Sequence, residues 1–235
     1  MIRSEKIIYK DLGLIDYQEA WNYQEQLFAQ IIDLKLRNRN IKAEVQQAEN
    51  NYLLFCEHPH VYTLGKSGTM QNLLIHEQEM KDKGVQFYRI NRGGDITYHG
   101  PGQIVGYPII DLEQFGLGIR TYIECLEEAV ILTLKDFDIH AGRLKSASGV
   151  WLDPDTPGKA RKVCAIGVRA SRGVTMHGFA FNVNTDLSFY QYINPCGFKD
   201  YGVTSMEKEL GQRVDMEVVK EMLGEKLTVL FQKKP

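Results

Sequence analysis

Val163-Cys164-Ala165-Ile166-Gly167-Val168 and Val174-Thr175-Met176-His177-Gly178-Phe179-Ala180-Phe181-Asn182-Val183 are two apolar, β-branched runs separated by Arg-Ala-Ser-Arg-Gly. Runs of this kind joined by a short link that ends in glycine predict a β-hairpin. Side chains alternate along a strand, so Phe179 and Phe181 share one face while Gly178, Ala180 and Asn182 share the other. Small residues in mid-strand leave room beside the sheet. That room suits an apolar ligand or the close approach of another element.

Helical patterns flank the hairpin. Tyr122, Ile123, Leu126, Ala129, Val130 and Leu134 recur at helical spacing and predict a helix over 119–137; another is expected over 215–231. An earlier helix is predicted over 17–36, with Asp16 as its cap and Glu19 three residues on. The polar stretch 38–51 reads as the end of that helix and a surface loop. Residues 52–56, 61–64 and 85–90 are short β-rich runs. Strands and helices mix without a regular βαβ rhythm. The expected fold is therefore α/β of the α+β kind, a mixed β-sheet with flanking helices, in one domain spanning 1–235.

The 235 residues can bury a real core, and 43% hydrophobic with 25% charged residues excludes disorder and fibrous structure. Lys plus Arg number 28 against 30 Asp plus Glu, which argues against a protein that grips phosphate backbones. No apolar run approaches the ~18 residues that cross a bilayer, and Met1-Ile2-Arg3-Ser4-Glu5-Lys6 is followed by no secretory h-region. The four cysteines (Cys56, Cys125, Cys164, Cys196) stand singly and read as reduced thiols, so a cytoplasmic location is expected. No nucleic-acid or membrane partner is expected, and with no obvious exposed apolar helix face the chain is expected to be a monomer.

Chemistry concentrates in four stretches. Arg92-Gly93-Gly94-Asp95-Ile96-Thr97-Tyr98-His99-Gly100-Pro101-Gly102-Gln103 interleaves glycines and a proline with hydrogen-bonding side chains, the composition of a binding loop around a short strand. It is neither a P-loop nor a dinucleotide fingerprint. Arg161-Lys162-Val163-Cys164-Ala165-Ile166-Gly167 sets a lysine at the start of an apolar strand, either as a solvated strand end or at the edge of a pocket. Under a strict period of two, Lys162, Cys164 and Ile166 share a face. Thr175 to Asn184 carries the small-residue strand face described above. In Ile193-Asn194-Pro195-Cys196-Gly197-Phe198 the thiol sits between a φ-fixing proline and a glycine, a turn setting unlike those of Cys56 and Cys125.

In this order and approximate spacing the four stretches resemble the lipoyl(octanoyl) transferases. Asp16-Tyr17 and Glu57-His58-Pro59-His60-Val61-Tyr62-Thr63-Leu64-Gly65 are similar to that family as well. The resemblance implies the fold of the biotin- and lipoate-protein ligase catalytic domain. It implies transfer of an octanoyl group from octanoyl-acyl carrier protein to a lysine of lipoyl domains, those of 2-oxoacid dehydrogenase complexes and the glycine cleavage H protein, with no cofactor. By motif matching it makes Cys196 the residue that carries the acyl group as a thioester and Lys162 the lysine that lowers its pKa. It likewise assigns substrate binding to Arg92, Gly93, Gly94, Asp95, Ile96, Thr97, Tyr98 and His99, to Ala165, Ile166 and Gly167, and to Gly178, Phe179 and Ala180. Cys164, where the family more often has a small residue, is a second thiol near Lys162.

Three other readings compete. A lipoate or biotin ligase would activate its acid with ATP, but the Gly-Arg-Gly-Arg-x-Gly segment of biotin ligases is absent. His58, His60, His99 and His177 could be imagined around a metal, yet their spacing matches no common zinc pattern and no metal is expected. A non-catalytic acyl-carrier binding module would have no use for both Lys162 and Cys196.

Overall fold

The computed structural model describes residues 6–39, 41–42, 45–47, 50–145, 147–194 and 201–232. In chain order it contains β1 (Ile7–Leu14), α1 (Tyr17–Arg39), β2 (Asn51–Glu57), β3 (Val61–Leu64), α2 (Glu77–Asp82), β4 (Gln86–Arg89), β5 (Ile96–His99) and β6 (Gln103–Ile109). There follow α3 (Leu112–Phe115), α4 (Ile119–Lys135), β7 (Gly142–Leu144), β8 (Ala147–Leu152), β9 (Arg161–Ser171), β10 (Val174–Asn182), β11 (Gly202–Val203), α5 (Met206–Leu210) and α6 (Met216–Gln232).

The hairpin is longer than the sequence suggests. β9 runs on to Ser171, which pairs with Val174, leaving a two-residue turn of Arg172 (φ 52°) and Gly173 (φ 81°). Positive φ at both positions matches the right-handed twist of the flanking strands. The large sheet is mixed, in the order β1-β2-β6-β10-β9-β8-β7, with β11 paired in parallel to β9. A smaller sheet, β4-β3-β5, stands apart from it.

Alternation along the central strands splits the core in two. Leu53 and Phe55 of β2, Ile104 of β6 and Phe179 and Phe181 of β10 pack with α4 and α6, whose Leu126, Val130, Leu223 and Leu227 are fully buried. Leu54 and Cys56, Val105 and Tyr107, and Val174 and Met176 meet the stripe Ala20, Leu27, Phe28 and Ile31 of α1. The expected mixed sheet with flanking helices is the observed fold. α1 starts where Asp16 Oδ1 accepts the backbone N–H groups of Gln18 (2.8 Å) and Glu19 (3.3 Å), the predicted cap.

Sequence reading missed β1, β6, β7 and β8. Pro108 argues against a central strand because it cannot donate to a ladder, yet β6 lies between β2 and β10. The ladder makes room for it: β6 and β10 pair only from Gln103–Asn182 to Gly106–Phe179. Beyond that, His177 adopts a left-handed backbone (φ 58°), and the Thr175 hydroxyl donates to Pro108 O at 2.9 Å. This interruption adjoins the cavity described next. Among the described residues no helix is long and apolar enough to cross a membrane.

Candidate active site

A cavity of about 300 Å³ opens between the large sheet and β5, a size at the lower end of small-molecule sites. Its wall on the sheet is made by small residues in direct register. Ala165 and Gly167 of β9 stand opposite Ala180 and Gly178 of β10. Gly167 also admits the Arg92 loop: a Cβ there would lie 2.8 Å from Gly93 O and 3.0 Å from Arg92 Cδ. Ile166 and Phe179, between the small residues, pack toward the α4–α6 core and reach the cavity at its edge.

The Arg92–His99 stretch supplies the opposite wall. Arg92, Gly94, Asp95, Ile96, Thr97 and His99 line the cavity. The Arg92 guanidinium is buried and donates to Thr63 O (2.7 Å) and Thr63 Oγ1 (3.0 Å), so a fixed positive charge borders the site. Asp95 is a clamp: it accepts Ile96 N at 2.7 Å and Asn72 Nδ2 at 2.5 Å. Two residues of the stretch lie off the cavity. Gly93 N donates to Val168 O at 2.9 Å and ties the loop to β9. Tyr98 points to the other face of β5, where its hydroxyl meets His60 Nδ1 at 2.7 Å and its ring stacks on Phe189.

Lys162 lines the cavity, its Nζ 4.6 Å from the ring centroid of Trp151. Cys196 lies outside the described residues, as do Pro195 and Gly197. The residues on either side of that segment are described. Asn194 N donates to Asn72 O at 2.8 Å, and Asn72 in turn holds Asp95; Tyr201 lines the cavity itself.

The expectation that Cys164 shares a face with Lys162 is corrected by the register. Trp151 pairs with Lys162 and Val150 with Cys164, so Val163 is an extra residue in β9, a β-bulge. The bulge reverses the alternation. Val163 and Cys164 both face the α4–α6 core, whereas Lys162 and Ala165 both face the cavity. Burial drives the Cys164 thiol well above its ordinary pKa, with the Lys162 charge pulling weakly the other way. A thiol held protonated inside a core is no nucleophile.

The His58 and His99 rings lie 6.0 Å apart, but each of His58, His99 and His177 uses a ring nitrogen in a separate hydrogen bond. His58 Nδ1 bonds Ile15 O (2.8 Å) and its Nε2 meets the Tyr107 hydroxyl (2.7 Å). His99 Nδ1 bonds Gln103 Oε1 at 2.9 Å, and His177 Nε2 bonds Asn91 Oδ1 at 2.7 Å. Among the described residues no three metal-binding side chains come together. Burial holds all three imidazoles neutral, lowering His58 to about 4 and His177 to about 3 and pushing His99 well below its usual range. On acidification the unfolded chain therefore takes up these protons first. The associated stability is complete above about pH 6.5 and drains as pH falls toward those lower values, by up to about 1.4 kcal/mol per pH unit per histidine. Urea unfolding from pH 7 to pH 5 should show a falling midpoint, less steep in His58→Gln; a flat midpoint would contradict this assignment.

Sequence reasoning missed several cavity residues. Tyr17 begins α1, Tyr107 belongs to β6 and Trp151 to β8. Tyr190, its hydroxyl 3.3 Å from Asn182 Oδ1, comes from the 3₁₀ turn Leu187–Tyr192. Only Tyr17, beside the cap Asp16, carried a local signal.

A mixed sheet with flanking helices, one wall of small residues and a buried cationic rim make this an α/β domain built around a small-molecule-sized cavity. The lipoyl protein ligase A/B catalytic domain matches residues 16–228. Octanoyltransferase of Cytophaga hutchinsonii is 55% identical over 229 residues, covering 97% of this chain and 94% of that one. Octanoyltransferase of Flavobacterium johnsoniae is 56% identical over 230 residues, covering 97% and 98%. A chain from the structure of the bi-partite lipoate protein ligase and its E2 lipoyl domain from Thermoplasma acidophilum superposes with a TM-score of 0.65 at 15% identity. It covers 96% of this chain and 82% of that one, a likeness of fold. This chain belongs to the lipoyl protein ligase A/B catalytic family, among its octanoyltransferases, and is an acyltransferase.

Proposed function

We propose that the enzyme moves an octanoyl group from octanoyl-acyl carrier protein to the ε-amine of a lipoyl-domain lysine, with Cys196 as the intermediate acyl carrier and Lys162 as its cationic partner. The acceptors are the lipoyl domains of 2-oxoacid dehydrogenase complexes and the glycine cleavage H protein, and residues 1–235 act as one catalytic domain. A reducing cytoplasm keeps such a thiol available. The observation that carries the reading is Lys162 at the wall of a small-residue cavity that Tyr201, the first described residue after the Cys196 segment, also lines, while Asn194 before that segment is joined through Asn72 to Asp95 of the same cavity.

The chemistry follows from the residue types. A free cysteine has a pKa of about 8.5 and is mostly protonated at neutral pH. An ammonium beside it favours the thiolate. Cys196 Sγ attacks the octanoyl thioester carbonyl, the tetrahedral intermediate collapses, and the carrier thiolate leaves and takes up a proton. One thioester replaces another, so this step is nearly balanced in free energy. The lysine amine then attacks the Cys196 thioester, its proton passing to the Lys162–thiolate pair as Sγ departs, and the amide product makes the second step downhill. The octanoyl chain lies along the small-residue wall, burying about seven apolar carbons at about 0.8 kcal/mol each.

Mixing the enzyme with octanoyl-acyl carrier protein and a lipoyl domain, without ATP, should octanoylate the domain. Transfer from free octanoate that needs ATP, with none from the carrier thioester, would instead indicate a ligase.

A further inference from the structure

We infer that Trp151 is a positioning residue that fixes the Lys162 ammonium at the cavity wall and thereby sets the reactivity of Cys196. The inference rests on the proposed pairing of Cys196 with Lys162. A lysine head on a four-carbon stem has many rotamers, and an ion-pairing role needs one of them. Backbone pairing alone does not choose it. Lys162 is held on one side by Trp151 of β8 and on the other by Val203 of β11, and its carbonyl accepts Thr204 N at 3.0 Å.

The indole lies against the head of that side chain. Nζ stands 4.6 Å from the ring centroid, within the reach at which a cation is drawn to the negative face of tryptophan. The indole is itself immobilised: it is 2% exposed, and Tyr201 meets it at 5.3 Å and 71°. Its Nε1 is buried with no hydrogen-bond partner among the described residues, so ring contacts hold it. Tyr201 is the first described residue after the Cys196 segment. One aromatic ring therefore touches both the lysine and the chain returning from the cysteine.

Two nearby charged groups are paired among the described residues. Glu127 of α4 accepts Arg143 Nε and Gly149 N, each at 2.9 Å. Arg161 is paired with Glu209 at 2.6 Å and with Asp153.

The test keeps the shape of the ring and changes its charge distribution. The chain has two tryptophans, so in a Trp21→Phe background fluorinated tryptophans label position 151 alone. Fluorination drains the ring face while nearly preserving its outline. The readout is the pH midpoint of Cys196 alkylation by iodoacetamide, followed on the Cys196 peptide by mass, together with kcat/KM for transfer. The midpoint should rise stepwise with fluorine number, reaching about 0.5 to 1 pH unit, with kcat/KM falling about three- to tenfold. Trp151→Phe should fall within that series and Trp151→Leu at its far end. A midpoint that ignores fluorination, in an enzyme that still forms an octanoyl adduct on Cys196 and whose midpoint still rises in Lys162→Met, overturns the role of Trp151. No adduct on Cys196, or a midpoint unmoved by Lys162→Met, overturns the underlying pairing instead.

Discussion

Replacing Cys196 by serine should lower octanoyl transfer at least about a thousandfold, because a hydroxyl without a dedicated base is a far weaker nucleophile than a thiolate. The fold should be untouched. Among the described residues the core of the large sheet is built on its α4–α6 and α1 faces, and serine differs from cysteine by a single side-chain atom. Thermal unfolding of Cys196→Ser should therefore match the parent protein while turnover vanishes. Binding of octanoyl-acyl carrier protein should survive, since the small-residue wall and the Arg92 rim remain. A serine variant that retained even a tenth of the activity would mean that acyl transfer runs directly from carrier to lysine.

Lys162→Met should cost about a hundred- to a thousandfold in kcat/KM, the range of a missing general acid–base or charge-stabilising group. Methionine keeps the stem length and removes the charge. Losing the ammonium should also raise the pH at which Cys196 is alkylated, and a shift of two units would correspond to about 2.7 kcal/mol between protonation states. The sign follows from the thiolate being the favoured form beside a cation. The activity–pH profile of the variant should accordingly move to higher pH and recover in part above pH 9. Lys162→Arg keeps charge but moves it onto a planar, larger head, so it should restore the alkylation midpoint more than the turnover. A Lys162→Met enzyme with an unchanged midpoint would separate this lysine from the thiol.

Much of the fold can be read in the sequence because alternation is strong where two different cores face one sheet. The β9–β10 hairpin, α1, α4 and α6 all carry that pattern. β6 does not, since Pro108 and Gly106 break the signal, and only the interrupted ladder with β10 makes a central strand possible there. The small-residue wall was legible as a strand face. Its register, Gly167 against Gly178 and Ala165 against Ala180, depends on a turn two residues long rather than five.

The lysine face was misread for a local reason. A bulge at Val163 costs one residue of register and leaves no mark in a run of apolar side chains. Trp151 was invisible on the same account, because β8 is interrupted by Gly149, whose φ is 112°. Tyr98 could have been separated from Thr97 and His99 by period two alone. A resemblance carried over as a contiguous block hides that alternation.

In the proposed mechanism Cys196, and not Cys164, carries the acyl group. Intact-mass analysis after mixing with octanoyl-acyl carrier protein, without ATP, tests it on the parent chain, Cys164→Ser and Cys196→Ser. One octanoyl adduct, removable by thiols, is expected on the parent and on Cys164→Ser, and none on Cys196→Ser. An adduct that persists in Cys196→Ser and disappears in Cys164→Ser would contradict it.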